Sequence, residues 1–414
     1  MAIPQPAKFI SDFEQLGFGM FIHFGLYSQM KQGEWIFHQT DDLTMEEYAK
    51  LKDTFTAEDF DAEDIVRTAH DAGCRYICLT TRHHEGFSLY DTRGLSDFDA
   101  PHSPAHRDLI KEFTDACRKY DIVPFFYHTS LDWYQKDFDE NWEKYLEYLR
   151  ASVEVLCRNY GPVGGFWFDG HWSKPEADWH DDRLYGTIRR YQPNAMIINN
   201  SGVNMLGAVG NNEIDAVTFE QGRPTPMNRE GADKYRAAEM CETMNGHWGY
   251  NENDVNYKSP RTLIENLCAC RKVGANYLLN IGPTEQGGID PVQRQYLSLI
   301  GKWMKVYGEA IYNGRPYVYD NGGDDFVMKS ADGKYLYFFC FHPGEEGNEN
   351  VTVDVAGNRL NVFRGVKDKV RSICWMDNGQ PLEYTQNGDE FSVRFNGFPY
   401  RYNYAVRVAK AEIE

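Results

Sequence analysis

The sequence predicts a parallel (β/α)8-like barrel followed by a C-terminal β-sandwich, and three features carry that expectation. Through most of the chain, short apolar runs alternate with longer segments of helical period, as the βα units of a parallel sheet do. Eight such runs occur, the number that a closed barrel of this kind needs. Past Gly314-Arg315-Pro316 the texture changes to short alternating strands separated by Gly, Asn and Asp turn signals. The expected division is residues 1–314 for the barrel and 315–414 for the sandwich.

Taken in order, the barrel runs are FGMFIHFGLY from Phe18, CRYICLTT from Cys74, IVPFFYHTS from Ile122, GGFWFDG from Gly164, AMIINN from Ala195, IDAVTFEQ from Ile214, EMCET from Glu239 and NYLLNIGP from Asn276. The seventh is the least marked. Helical periodicity separates them at Ala62–Gly73, Ala105–Tyr120, Trp142–Asn159 and Pro260–Gly274. In the sandwich the expected strands are KYLYFFCF, VTVDV, RLNVF, SICWM, FSVRF and YAVRV.

At 414 residues the chain can bury a large core in two domains. A formal net charge of −19 repels polyanions, so nucleic acid and anionic membrane are poor partners and a neutral ligand fits better. The opening MAIPQPAKFISDFEQLG has no basic stretch leading into an apolar one, and no run of about 18 apolar residues occurs anywhere. A soluble, cytoplasmic protein is expected. Nine cysteines, an odd number without framework spacing, agree with that as reduced and mostly buried thiols.

Six strand runs end in polar or aromatic side chains rather than apolar ones: His23, His83-His84, Tyr127-His128, Asp169, Asn199-Asn200 and Glu220. The C-terminal ends of barrel strands are where active sites are built, so these residues converge on one face. In Gly165-Phe166-Trp167-Phe168-Asp169-Gly170 a run of aromatics delivers one carboxylate to such an end, and a glycine then lets the chain turn. A lone Asp-Gly is more often a turn or a helix cap, but aromatic walls suit a nucleophile beneath a sugar ring. Glycoside hydrolysis needs a second carboxyl as proton donor, and the candidates are Glu220 at the sixth strand end and Glu242 in CETMNGHWGYN. Of these Glu220 is preferred, and Glu242 is either the second candidate for the acid/base or a structural anchor for its loop. His83 and His84 can bond sugar hydroxyls. No HExxH pattern occurs, and His102 and His106 straddle Pro104, so no metal is expected. Trp35, beside Glu34, together with Trp167 and Trp248 offers flat apolar faces beside hydrogen-bonding groups, the mixture that a sugar wants. Phosphate-binding and dinucleotide fingerprints are absent, and no cofactor is expected.

Together the segments FGMFIHFGLYS, GEW, LTTRHHEGFSLYDT, YHTSLDWY, GGFWFDG, CETMNGHWGYN and NYLLNIGPTEQGGI resemble the α-L-fucosidases of glycoside hydrolase family 29, over roughly residues 8–315. The resemblance implies that Asp169 attacks the anomeric carbon to form a covalent glycosyl-enzyme and that Glu220 is the acid/base. It implies that His23, Glu34, Trp35, His83, His84, Tyr127 and Trp167 hold the fucose hydroxyls and ring, with Trp248 near the methyl. One departure stands out: an Arg is expected after the Asn pair, and this chain has Ser201 there. Arg223, in EQGRP, is a candidate to supply the missing guanidinium. The activity implied is exo-acting, retaining release of terminal α-L-fucose from oligosaccharides, with linkage preference set by loops around Trp172–Trp179 and Val203–Asn212. Three alternatives stay open: a related sugar such as an α-L-galactoside, a non-catalytic carbohydrate-binding protein, and a metal-dependent barrel hydrolase.

Overall fold

Eight parallel strands close into a barrel in chain order: β1 (Phe18–Ile22), β2 (Tyr76–Arg82), β3 (Val123–Thr129), β4 (Gly165–Asp169), β5 (Met196–Asn199), β6 (Ala216–Glu220), β7 (Ala237–Thr243) and β8 (Asn276–Ile281). The ring closes where β8 pairs with β1, Phe18 opposite Tyr277 through Ile22 opposite Ile281. The structure, a computed structural model, describes residues 2–346 and 359–414. The expected strand VTVDV lies outside the described residues.

Side chains alternate across a strand, so every second residue of each strand fills the barrel. Phe21, Tyr76, Cys78, Phe125, Tyr127, Trp167, Met196, Ile198, Ala216, Ala237, Cys241 and Leu278 form that buried interior. The same period carries the inward face on to the strand ends, from Phe21 to His23 and from Trp167 to Asp169. The N-terminal end of the barrel is closed by a helix that the sequence reading missed, α1 (Lys8–Leu16). Its Phe13 ring lies 5.7 Å from Tyr76 and 5.6 Å from Phe125, at the starts of β2 and β3. That end is plugged with apolar rings, and the polar strand ends lie at the other.

The helices between strands start and stop for local reasons. Helix α2 (Ala62–Ala72) begins where Asp61 accepts the Asp64 backbone N–H, and it ends at Gly73, whose left-handed φ of 93° favours glycine. Asp108 caps α3 (Leu109–Lys119) and Asn141 caps α4 (Trp142–Asn159) in the same way. Helix α5 (Asp181–Tyr191) joins β4 to β5, and α6 (Pro260–Lys272) opens with Ser259 as cap and proline in its first turn. Helix α7 (Pro291–Asn313) follows β8.

The chain divides into two compact units, one of Met1–Pro224, Asn228–Lys258 and Tyr277–Ser298 and the other of Thr225–Met227, Ser259–Asn276 and Leu299–Glu414. In the second, β9 (Gly314–Val318), β10 (Phe326–Ser330), β11 (Tyr335–Cys340), β14 (Val370–Trp375) and β18 (Arg407–Ile413) form a five-stranded sheet in the order β14-β18-β11-β10-β9. A three-stranded sheet joins β13 (Arg359–Arg364), β16 (Glu390–Phe395) and β15 (Tyr384–Asn387), and β12 (Glu345–Glu346) pairs with β17 (Phe398–Pro399). Leu336, Phe338 and Ala409 of the larger sheet share one core with Phe363, Phe391 and Val393 of the smaller, which makes the unit a sandwich. The last strand starts later than YAVRV suggested, because Ala405 has a left-handed φ of 69° that no strand residue adopts. Among the described residues no helix is long and apolar enough to cross a membrane.

Candidate active site

A cavity of about 400 Å³ opens at the C-terminal strand ends, within the ~300–1,000 Å³ range of small-molecule clefts. Its walls carry all but one of the residues expected from the sequence: His23, Trp35, His83, His84, Tyr127, Trp167, Asp169, Glu220 and Trp248. Asp169 is the last residue of β4, and its carbonyl is held by the Ser130 N–H at 2.7 Å and hydroxyl at 2.8 Å. Gly170 follows with a φ of 110°, and a Cβ there would lie 2.5 Å from the Leu131 backbone nitrogen. Only glycine fits, and the turn it permits sends the chain back over the cavity.

Trp172, three residues on, exploits that turn. Its indole N–H donates to Asp169 Oδ1 at 2.7 Å, while the Tyr127 hydroxyl donates to Oδ2 at 3.0 Å. His84 Nε2 lies 3.5 Å from Oδ2. The His84 ring is oriented from behind, since its Nδ1 bonds Thr129 Oγ1 at 2.7 Å and that hydroxyl gives its own proton to the Leu131 carbonyl at 2.5 Å. Burial alone would raise the Asp169 pKa, but the nearby His84 ring and the hydrogen bonds from Trp172 and Tyr127 outweigh it and hold the carboxyl down at about 2. Asp169 is a carboxylate at any ordinary pH.

Glu220, the last residue of β6, has the opposite character. Burial raises its pKa and the nearby Asp169 charge adds to that, against one lowering hydrogen bond from Asn200. Asn200 Nδ2 reaches both carboxylates, Glu220 Oε2 at 2.7 Å and Asp169 Oδ1 at 3.4 Å. The Thr218 hydroxyl donates to Asn200 Oδ1 at 3.1 Å, which fixes the amide with its NH2 toward the acids. Those two carboxylate oxygens are therefore at most about 6 Å apart. That bound admits the ~5–5.5 Å of retaining glycosidases.

Histidine chemistry is set by burial as well. Desolvation lowers the His23 pKa to about 4, so the ring is neutral at physiological pH. Its Nδ1 bonds Asn280 Oδ1 at 2.7 Å, and Asn280 Nδ2 is committed to the Trp248 carbonyl at 2.7 Å. The Nδ1 of His23 thus carries the proton, and Nε2 is an acceptor for a sugar hydroxyl. Burial holds His83 neutral too, well below the usual histidine range. On the mouth side, the Trp35 ring sits 6.0 Å from Trp172 and 5.2 Å from Trp133, an aromatic rim.

Two glutamates lie outside the cavity. Glu34 Oε2 accepts the N–H groups of Trp248 at 3.1 Å and Gly249 at 2.8 Å, so it anchors the loop that carries Trp248 into the cavity wall. Glu242 is buried, accepts the Tyr277 hydroxyl at 2.5 Å and lies 3.5 Å from Lys258 Nζ. Ser201 bonds the carbonyls of Asn199 and Ala208 within its own loop, and Arg223 is exposed and off the cavity wall. The donors that meet Asp169 where a guanidinium was expected are Trp172 and Asn200. Sequence reasoning placed Asn200 at a strand end without a role, and it read Trp172 only as part of a linkage-setting loop. Phe21, Val203 and Asn204 complete the wall. Among the described residues no group of three or more His, Cys, Asp or Glu is placed to hold a metal ion.

Comparison with known proteins agrees with this geometry. The family model described as alpha-L-fucosidase matches residues 5–309. The tissue alpha-L-fucosidase of Mus musculus is 29% identical over 341 residues, covering 74% of this chain and 72% of that protein. Among solved structures, alpha-L-fucosidase isoenzyme 1 from Paenibacillus thiaminolyticus superposes with a TM-score of 0.81 at 26% identity, over 98% of this chain and 99% of that one. A Bacteroides thetaiotaomicron alpha-L-fucosidase, trapped as a covalent intermediate with 2-fluoro-fucosyl fluoride, shares the fold with a TM-score of 0.80 at 21% identity, over 100% of this chain and 98% of that one. A family match over most of the chain decides the matter: this chain belongs to the α-L-fucosidase family.

Proposed function

We propose that the protein is an exo-acting, retaining α-L-fucosidase, with residues 1–314 as its catalytic part, Asp169 as nucleophile and Glu220 as acid/base. The observation that carries this is the pair of carboxyls at the ends of β4 and β6, on either side of β5, whose surroundings push their pKa values apart, Asp169 down and Glu220 up. In the first step an Asp169 oxygen bonds to C1 of the sugar as the C1–O bond to the aglycone breaks, and the Glu220 proton goes to the departing oxygen. In the second, water gives a proton to Glu220 and bonds to C1 as the Asp169 ester breaks. Two inversions give net retention. His23, through Nε2, accepts a sugar hydroxyl, and Trp35, Trp167 and Trp248 bound the ring. The covalent intermediate trapped in the Bacteroides relative supports the same order of events here.

The substrates proposed are fucosylated oligosaccharides, in a cytoplasmic setting supported by nine cysteines without framework spacing, eight of them buried. Hydrolysis of 4-nitrophenyl α-L-fucoside, followed by proton NMR of the first-formed sugar, tests the reading. Release of α-L-fucose that mutarotates only later is expected. First-formed β-L-fucose, or faster hydrolysis of the α-L-galactoside than of the fucoside, counts against it.

A further inference from the structure

Beneath the cavity, inside the barrel, lies a third carboxyl that neither step uses. Glu239 projects inward from β7 opposite Thr218 of β6, and it is 1% exposed. Both of its oxygens are engaged. The Trp167 indole N–H donates to Oε1 at 2.9 Å, and the Tyr76 hydroxyl donates to Oε2. Gly19 of β1 makes room for that tyrosine, since a Cβ there would lie 2.5 Å from its ring. A buried carboxyl is costly to keep in an interior filled mainly by apolar side chains, so its presence calls for a reason.

The reason lies in what Trp167 does above it. Only one edge of the indole carries an N–H, and Glu239 takes it from below, so the ring meets the sugar cavity with carbon alone. The ring is stacked on Tyr127, with centroids 5.8 Å apart and planes 16° from parallel. Phe21 closes its edge at 5.2 Å. Tyr127 in turn donates to Asp169 Oδ2 at 3.0 Å. A rotation of the indole would carry the phenol with it and shift one of the donors on the nucleophile.

We infer that Glu239 is a positioning residue of the sugar site: by holding the Trp167 N–H from inside the barrel, it sets the plane of that indole and, through the stacked Tyr127, the hydrogen bond to Asp169. The inference rests on the site roles proposed above. Burial pushes the Glu239 carboxyl up to about 7, and its neighbours Cys78 and Cys241 bring no positive charge, so the site tolerates a largely neutral group there. A glutamine keeps the acceptor oxygen and an amide that the Tyr76 oxygen can accept from. A leucine keeps the bulk and removes the acceptor.

The test measures kcat/KM of the full chain on 4-nitrophenyl α-L-fucoside for wild type, Glu239→Gln, Glu239→Leu, Trp167→Phe and the Leu/Phe double variant. The leucine variant is expected to lose about tenfold or more and the glutamine variant to recover most of that, while in the Trp167→Phe background the leucine change costs less than about twofold. A leucine variant with wild-type kcat/KM, or one that loses as much without the indole as with it, overturns the inference. Should the leucine variant fail to fold, the indole 15N–1H resonance of Trp167, assigned by its loss in Trp167→Phe, decides. It is expected to move in Glu239→Gln while the other eight indole signals stay, and an unmoved resonance overturns the inference. A wild type inert on the fucoside counts against the proposed function instead, and the resonance still reports on the Glu239 contact.

Discussion

At the scale of single residues, the two carboxyls are separated by what surrounds them. Asp169 is met by three donors and a histidine, whereas Glu220 has one amide and a neighbouring negative charge. On the proposed roles, the active form holds Asp169 ionised and Glu220 protonated. Activity therefore survives far down in pH, because Asp169 gains its proton only near about 2, and it falls as pH rises through the raised Glu220 pKa. Glu220→Gln should lower kcat/KM on a fucosyl disaccharide by about 10²–10⁴-fold and should abolish that basic limb. With an activated 2,4-dinitrophenyl leaving group, which needs no proton, the loss in the first step should shrink. An equal loss on both substrates, or an unchanged basic limb, would assign the proton donor elsewhere. Strand-end patterning made both carboxyls legible in the sequence. The Asn200 bridge between them was not, because it reaches from one strand end to two others, and neither was the Glu239 contact that accepts the Trp167 N–H across the barrel; no spacing along the chain encodes such contacts.

At the scale of elements, the turn at the end of β4 is the part on which most depends. Gly170 stands at a φ of 110° against the Leu131 backbone, and it turns the chain so that Trp172 covers Asp169. Gly170→Ala puts a methyl into that contact and a side chain into a strained φ, at a cost of roughly 1–3 kcal/mol. We expect a thermal midpoint several degrees lower and kcat/KM down at least about tenfold, because the strand end must shift. A variant with wild-type kcat/KM would mean that the turn does not set the nucleophile. The sequence reading recognised this glycine as a turn after a presented Asp, yet it gave no sign that the turn returns a tryptophan to the carboxylate. Helix α1 was illegible for another reason: its apolar Ile10 and Phe13 look like any amphipathic tail until the barrel end that they fill is known.

At the scale of the whole molecule, the barrel is filled below by rings and opened above by polar strand ends, so one face alone can do chemistry. Eight barrel strand runs and the later change to short alternating strands were readable because parallel barrels and sandwiches differ in period and turn chemistry. Strands β9, β10 and β15 escaped notice for want of strong alternation between turn signals, and the start of β18 was misplaced by the left-handed Ala405. On the proposed roles, with nucleophile and proton donor both supplied as carboxyls, turnover should need no metal. Dialysis against excess EDTA is expected to leave kcat on 4-nitrophenyl α-L-fucoside unchanged, and a loss restored by a divalent cation would revive the metal-dependent alternative.

The identity of the nucleophile is the claim from which the rest of the mechanism hangs, and an Asp169→Gly variant with an aryl α-L-fucoside tests it directly. The variant should be nearly inactive, and added azide should restore turnover by attacking C1 from the face that Asp169 vacates, giving the β-fucosyl azide. A variant that keeps substantial activity without azide, or one that yields the α-fucosyl azide expected from an acid/base variant, would contradict the assignment.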